Sequence, residues 1–234
     1  MSNKFKILSW IFLSSLLIFS CGSAIKIIAG IPKLNVYSQK EINKNIKKLT
    51  SEDNVIDVQP IKSLDAKTIK NFIYMSIPYR TYIFDKNDSL MCFNSETYCS
   101  ISQLDSLNKS TIEENYKICN SSNLDTNIDE YLGSFSEIKK KIILPKGSNF
   151  DYFQYKILVF INTDIAKEEL VDDWNYIYSS LNTNNAKTVF IRVWTDLNEN
   201  WGLKQDAKAK FKVRKVKHSK GEYYMTIPKL PYKI

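Results

Sequence analysis

Few residues of this chain have the types and spacing that a catalytic site requires. Its 234 residues include one histidine and six glycines. Sites that combine histidines, and glycine-rich loops that bind nucleotides, therefore have little to be built from. The one histidine, His218, lies in a predicted turn among lysines, where we expect a solvent-exposed ring without a catalytic partner. The residues predict no metal centre and no cofactor.

One cysteine at the end of an apolar segment points to a covalent lipid. Two lysines near the N-terminus precede a mostly apolar run of 13 residues that ends at Phe19, the layout of a secretory signal at 1–20. The segment Ile18-Phe19-Ser20-Cys21 resembles the bacterial lipobox, although Phe19 is larger than the residue usual there. The resemblance implies that Cys21 is diacylated and becomes the mature N-terminus, followed by a tether at 21–37. The alternatives are an uncleaved N-terminal anchor and simple secretion.

The other three cysteines lack the spacing of a redox motif. Cys92 lies near the end of a predicted strand, and a disulfide to Cys99 would close the loop that follows it. Pairing of Cys99 with Cys119 is the other option. We expect one structural disulfide and one buried free cysteine, because no pair has Cys-x-x-Cys spacing. A redox or partner-linking thiol is the alternative.

A polar cluster with tryptophan follows the second strand of a predicted βαβ unit. In open α/β sheets ligands bind at the carboxyl ends of the strands, and polar groups beside aromatic rings suit a sugar or a peptide. The simpler interpretation is a turn and a helix cap with packed tryptophans. The candidate binding rim consists of Asp196, Asn198, Glu199 and Trp201.

The positive charge is concentrated in the C-terminal part. The net charge is +8, and from Lys204 onward ten lysines and arginines stand against two acidic residues. A predicted hairpin of 207–217 and 222–227 alternates basic with apolar residues, which gives a basic face of Lys208, Lys210, Lys212 and Arg214. Such a face could attract phospholipid or lipopolysaccharide, at about 1 kcal/mol for each lysine near a charged membrane. The simpler explanation is that lysines on an exposed edge strand keep sheets from pairing edge to edge.

Two continuous apolar runs predict the strands of the βαβ unit that must position the candidate rim. The runs at 155–161 and 188–194 are typical of strands buried on both faces. Between them, apolar residues at 170, 174, 177, 178 and 181 mark one stripe of a helix at about 166–181. A strand, a helix and a strand of these lengths predict a parallel, right-handed βαβ unit.

The N-terminal half shows shorter signals. A capping box of Ser38 and Glu41 opens a helix that ends near residue 49. The other elements predicted here are a strand at 55–61, a helix at 64–75, a hairpin of 77–84 and 90–93, and a helix at 100–107. Residues 108–150 are rich in Asn, Ser and Thr, and predict a linker with one helix at 125–135. The resulting division is 1–20 signal peptide, 21–37 tether, 38–110 N-terminal half, 111–150 helical linker, and 151–234 βαβ unit with the basic hairpin.

The order helix, strand, helix, proline-led hairpin, helix resembles the C-terminal part of a thioredoxin fold. In that fold the proline is characteristically cis, and Pro78 occupies its position, although an ordinary trans bond is equally expected. Thioredoxins carry Cys-x-x-Cys after the first strand of their βαβ unit, whereas the matching loop at 162–167 has no cysteine. We expect Asp164 to cap the helix there instead. The resemblance implies the fold without the dithiol chemistry.

Taken together, the lipobox, the early Ile-Pro-x-x-x-Tyr-Ile-Phe-Asp-Lys segment and the late Val-Trp-Thr-Asp-Leu-Asn-Glu-Asn-Trp segment are similar to small lipoproteins of Bacteroidota-type Gram-negative bacteria. These have thioredoxin-like character and no assigned biochemistry. We therefore predict an α/β fold with thioredoxin-like βαβ and β-hairpin elements, in two packed halves, after an N-terminal signal helix.

The predicted function is that of a non-catalytic envelope protein. Acyl chains on Cys21 would hold it in the membrane, which we expect to be the outer one. The absence of an acidic cluster after that cysteine favours an anchor that faces the periplasm. Its role would be binding or assembly, with an envelope protein as partner and without nucleic acid. The alternative is a redox-linked or other enzyme of thioredoxin-like fold that uses non-standard residues.

Overall fold

The strands of the described chain assemble into one large sheet and two small ones. The computed structural model describes residues 33–77, 81–93, 111–119, 134–182, 187–215 and 223–232. The strands are β1 (Leu34–Tyr37), β2 (Val55–Pro60), β3 (Thr81–Phe84), β4 (Leu90–Phe93), β5 (Tyr116–Ile118), β6 (Ile142–Ile143), β7 (Tyr155–Ile161), β8 (Thr188–Trp194), β9 (Leu197–Asn198), β10 (Lys208–Ala209), β11 (Lys212–Lys215) and β12 (Tyr223–Thr226). The α-helices are α1 (Gln39–Ile46), α2 (Ala66–Met75), α3 (Ile112–Asn115), α4 (Phe135–Lys139), α5 (Thr163–Ala166) and α6 (Leu170–Leu181).

Seven of these strands form one mixed sheet, in the order β5-β4-β3-β7-β8-β2-β6. β7 and β8 run parallel, in register from Tyr155↔Thr188 to Ile161↔Trp194, and α6 lies in the connection between them. β2 is parallel to β8, whereas β3 is antiparallel to both β7 and β4. The predicted βαβ unit, the β3–β4 hairpin and the α/β class are thereby confirmed.

The two predicted halves share this sheet. β2, β3 and β4 come from 38–110, and β7 and β8 from 151–234 lie between β2 and β3. The edge strands β5 and β6 come from 111–150, where we predicted a helical linker. That prediction missed both strands because they span only three and two residues, too few for an alternating pattern to show.

Helices cover both faces of the central strands. On one face the apolar stripe of α6, including Trp174, packs against Ile157 and Phe190. On the other face the apolar side chains of α2 and α4 pack in one cluster with Leu158 and Ile191. All residues of β7 and β8 are buried, which explains their continuous apolar runs.

One buried lysine fixes the β3–β4 loop to the central strand β7. The side chain of Lys156 is 3% exposed, and its Nζ lies 2.6 Å from Asp88 Oδ1. The same Nζ donates to the carbonyl oxygens of Asp85 and Lys86, each at 3.0 Å. Because all of these partners belong to the loop, the ammonium group stays hydrogen-bonded although it is buried.

The crossover between β7 and β8 begins with a broken helix. α5 is followed by a 3-10 turn at Lys167–Glu169, and Lys167 has a positive φ of 51°. Asn162, not Asp164, is the residue before the helix. The prediction that Asp164 caps the helix is therefore wrong, because Asp164 lies within the first turn and its carboxylate is bonded to β1.

The C-terminal residues divide between two small sheets. β10 pairs antiparallel with β1, and β9 pairs parallel with β1 on the other side. β11 pairs antiparallel with β12. The predicted C-terminal hairpin is thus right for β11 and β12 and wrong for Lys208 and Ala209, which belong to the sheet of β1.

Four predictions concern residues outside the described ones, namely the lipidated Cys21 with its signal segment, Pro78, Cys99 and His218. The helix predicted at 100–107 also lies there, as does most of the one at 125–135. None of the helices in the described ranges combines the length and apolar character that crossing a lipid bilayer requires.

Candidate functional site

The carboxyl ends of β7 and β8 hold a buried carboxyl group. β8 ends at Trp194 and β9 begins at Leu197, and this short connection lays Asp196 over the first turn of α5. Its carboxylate accepts hydrogen bonds from Thr163 N at 2.7 Å and from Thr163 Oγ1 at 2.8 Å. Asp196 therefore supplies the acceptor for an N–H at the start of α5 that has no partner within the helix.

A second carboxylate from α5 ties the strand β1 to the same place. Asp164 accepts hydrogen bonds from Asn35 N and Asn35 Nδ2, each at 2.6 Å, and from Tyr37 Oη at 2.8 Å. Burial raises the pKa of the Tyr37 phenol far above its ordinary value, and the hydrogen bond and charge of Asp164 add to the rise. Tyr37 is thus a permanent hydrogen-bond donor to Asp164.

Burial also changes the acidity of Asp196. It raises the pKa of this carboxyl to about 7, the charge of Asp164 adds to the rise, and the hydrogen bonds from Thr163 oppose it. A carboxyl group with such a pKa suits proton transfer at neutral pH. However, Asp196 is 1% exposed, so a substrate cannot reach it in this conformation.

The other residues of the predicted rim do not converge with Asp196 on one pocket. Trp201 is 7% exposed and Glu199 is half-buried. Asn198 is buried as well, but it points to a different feature, because its side-chain amide is bonded to Gln39 and Gln59. The rim expected at the end of β8 is therefore divided between a buried carboxyl group and an asparagine that is bonded to two residues of a groove.

That groove opens beside the outer edge of β2 and has a volume of about 380 Å³. Its lining residues are Gln39, Asp57, Val58, Gln59, Ile143, Leu144 and Pro145. β6 pairs with β2 only at Gln59↔Ile143 and Pro60↔Ile142. Beyond Ile143 the chain reaches Pro145, which has no N–H with which to extend the ladder. The edge of β2 at Asp57 and Val58 therefore borders the groove.

Carboxamide side chains form the polar part of this groove. Asn198 Nδ2 donates to Gln39 Oε1 at 2.9 Å and to Gln59 Oε1 at 3.3 Å. Gln39 Nε2 donates in turn to Asn43 at 2.9 Å. Gln59 Nε2 has no hydrogen-bond partner among the described residues, so it can donate to a ligand.

An ion pair under the groove neutralises its one acidic residue. Asp57 accepts bonds from Arg192 Nε at 2.8 Å and Arg192 Nη2 at 2.6 Å, and from Trp194 Nε1 at 2.6 Å. The guanidinium group of Arg192 also lies over the ring of Trp174, at 4.6 Å from its centroid. With its charge paired in this way, Asp57 leaves the groove polar but electrically neutral.

The sequence contained a signal for this pair that we did not use. Asp57 and Arg192 are single charged residues in two otherwise apolar or neutral strands, and the register of β2 with β8 places them opposite each other. Gln39 and Gln59 carried no comparable signal, because glutamine is mostly found on protein surfaces and a single one does not mark a site.

The cysteine pairing differs from both predicted options. Cys92 is bonded to Cys119, with Cα atoms 4.9 Å apart. The predicted pairing of Cys92 with Cys99, and the alternative of Cys99 with Cys119, are therefore wrong. The pair forms because β4 and β5 are neighbours, with Cys92 opposite Lys117 and with Cys119 N bonded to Leu90 O at 2.9 Å. Without β5 in the prediction, Cys119 had no assigned position.

The predicted basic face is divided between two strands. Lys208, Lys210 and Lys212 are exposed, but Lys208 lies in β10, Lys212 in β11, and Lys210 between them. Arg214 belongs to β11, opposite Tyr224. The expectation of one continuous basic strand is therefore wrong, although the three lysines do face solvent.

Comparison of the chain with protein-family models, with curated protein sequences and with solved structures finds no match. Within the described ranges, no group of three or more histidine, cysteine, aspartate and glutamate residues is placed to hold a metal ion.

Proposed function

We propose that this protein is a non-catalytic binding protein of the cell envelope. Lipid on Cys21 would anchor it in the outer membrane, facing the periplasm, and the groove beside β2 would be its binding surface. The lipobox-like segment supports the anchor, and an envelope protein is the proposed partner. A parallel βαβ unit next to an antiparallel hairpin supports a thioredoxin-like fold, whose redox loop is replaced here by residues 162–167 without cysteine.

The observation that carries the proposal is the neutral, carboxamide-lined groove. Its volume of about 380 Å³ falls within the range of about 300–1,000 Å³ that is typical of ligand sites. Gln59 Nε2 offers a donor, and Ile143 and Leu144 offer apolar contacts. A groove along the edge of a strand accepts the backbone of an extended peptide, which adds to the sheet by main-chain hydrogen bonds. We infer that the ligand is an uncharged, extended peptide segment of the partner.

A peptide titration tests the binding site. The probe is a six-residue peptide of alternating valine and threonine with both ends blocked, and the measurement is its dissociation constant by calorimetry. We expect Gln59→Ala to weaken binding about fivefold, the effect of losing one hydrogen bond. The control Gln205→Ala removes an exposed glutamine outside the groove. Equal affinities in all three proteins, or tighter binding of tri-N-acetylglucosamine than of the peptide, would contradict the peptide site.

The intact mass of the protein purified from its membrane fraction tests the anchor. We expect a mass that begins at Cys21 and includes acyl chains, because the lipobox-like segment directs both cleavage and lipidation. Alkylation before and after reduction should add one and then three groups, since Cys92 and Cys119 are bonded to each other. An uncleaved chain, or a cleaved chain without acyl groups, would refute the lipoprotein.

The raised pKa of Asp196 favours an enzyme as the second candidate. Against it stand the 1% exposure of this residue and the separate location of the groove. A redox enzyme has less support, because Cys92 and Cys119 join two adjacent strands, and within the described residues neither thiol lies at the start of a helix that would activate it. The geometry therefore favours binding.

A further inference from the structure

The N-terminal segment enters the folded unit beside exposed lysines. β1 is the first described strand, and it pairs with β10 through Leu34↔Ala209 and Asn35↔Lys208. Continuing this antiparallel register by one residue places Lys33 opposite Lys210. Both of these lysines are exposed. The strand that leads from the proposed anchor is therefore flanked by positive charge at the point where it begins.

The apolar residues of this pair of strands fix the direction of the lysines. Leu34 and Ala209 are each 1% exposed, so their side chains face the core. Lys208 and Lys210, on either side of Ala209, are both exposed, as expected for neighbours of an inward-facing residue in an extended chain. Lys212, two residues further, is exposed as well. We call Lys33, Lys208, Lys210 and Lys212 the basic surface.

Few acidic residues accompany these lysines in the sequence. The chain after residue 203 has ten basic residues and two acidic ones, Asp206 and Glu222, whereas residues 1–203 contain 23 of each kind. The excess charge of the whole molecule therefore lies in the segment that holds three of the four lysines. Such a concentration produces a local positive potential that acts over about 8 Å at physiological salt.

We propose that the basic surface docks on the anionic phospholipid headgroups of the membrane that holds the N-terminal lipid. The proposal rests on the proposed anchor at Cys21. Eleven residues lie between Cys21 and Lys33, and an extended chain across these twelve Cα–Cα steps reaches about 40 Å. The anchor alone would leave the folded unit free to rotate at that distance. Contact between the lysines and the headgroups would hold one side of the unit against the bilayer, as a second membrane signal beside the lipid.

Lysine footprinting on vesicles tests this docking. The full-length lipidated protein is reconstituted into vesicles of phosphatidylcholine alone, or with about one third phosphatidylglycerol as the anionic lipid. Acetylation rates of single lysines are then measured by peptide mass spectrometry. We expect all four lysines of the basic surface, Lys33 included, to react about threefold more slowly on the anionic vesicles, and high salt to abolish the difference. The exposed Lys44 and Lys47 of the α1 segment serve as internal controls with equal rates on both.

A charge-removal variant separates docking from local shielding. In the triple variant Lys208→Gln, Lys210→Gln, Lys212→Gln, we expect Lys33 to lose its protection on anionic vesicles. The control variant Lys40→Gln, Lys44→Gln, Lys47→Gln removes the same charge elsewhere and should leave Lys33 protected. Equal rates on both kinds of vesicle, or the same result in both variants, would overturn the proposal.

Flotation of the same samples distinguishes this failure from that of the anchor. Protein that floats with both kinds of vesicle carries its lipid, and the footprint then decides the docking. Protein that floats only with anionic vesicles would refute the anchor and support the basic surface. Protein that floats with neither would refute both.

Discussion

The carboxyl group of Asp196 carries a clear consequence for stability at the scale of single residues. In the unfolded chain it loses its proton near its ordinary pKa of 3.8, whereas the native protein keeps the proton up to about pH 7. Between these values the native state binds more protons than the unfolded state. The free energy of unfolding should therefore fall as the pH rises from 4 to 7, as far as this group is concerned.

Replacement of this one residue should remove that dependence. Asn resembles the protonated acid, so Asp196→Asn should match the wild type near pH 4 and gain stability over it as the pH rises. The gain should approach about 4 kcal/mol at pH 8, which corresponds to the rise of the pKa from 3.8 to about 7. Urea unfolding of both proteins at several pH values measures it.

The control for this experiment is Asp172→Asn, which changes an exposed carboxylate of α6. It should leave the pH dependence of the wild type unchanged. Asp164 and Lys48 both act on Asp196 and stay in place in both variants. A stability difference between Asp196→Asn and the wild type that stays constant from pH 4 to pH 8 would show that the native carboxyl group has an ordinary pKa.

At the scale of elements, the disulfide ties β5, an edge strand of the large sheet, to its neighbour β4. β5 has three residues and, among the described strands, pairs with β4 alone, and the bond between Cys92 and Cys119 closes a loop of 27 residues. We expect the double variant Cys92→Ala, Cys119→Ala to lose about 3 kcal/mol of unfolding free energy, the usual effect for such a loop. Denaturant titration measures the loss.

The single variant Cys99→Ser is the matched control for the disulfide. It removes a cysteine and leaves the observed pair intact, so its stability should equal that of the wild type, with no alkylatable thiol left before reduction. If Cys99→Ser instead freed a thiol and lost stability, Cys99 would be part of the native bond. The pairing between β4 and β5 would then have to be revised.

At the scale of the whole molecule, the long periodic elements were predictable and the short ones were not. The stripe of Leu170, Trp174 and Leu181 and the apolar runs of β7 and β8 indicated the βαβ unit, and Ser38 with Glu41 indicated the start of α1. These signals are local and extend over several turns or a full strand. They also predicted that β7 and β8 are buried on both faces, as they are.

The missed features depend on neighbours distant in the chain. β5 and β6 are too short to show a period, and they are strands only because β4 and β2 lie beside them. The candidate site was missed for the same reason. Asp164 was predicted to cap a helix. In the structure it accepts a hydrogen bond from Asn35 of β1, which lies 129 residues away along the chain. Gln39 and Gln59 are brought together in the groove because Asn198, which follows β8, is hydrogen-bonded to both of them.

The interleaved strand order has a consequence for how the chain acquires its structure. β2, β3 and β4 are made first. However, β3 lacks its neighbour β7, and β2 lacks its neighbour β8, until the later part of the chain has been made. The pairing of Val55 with Phe190 closes a separation of 135 residues, and such distant contacts make folding slow. During synthesis the N-terminus emerges first, so the sheet cannot be completed until residue 194 has been made. We therefore expect the chain to lack its complete core while most of its length is in transit, the condition in which a polypeptide can be threaded through a membrane channel.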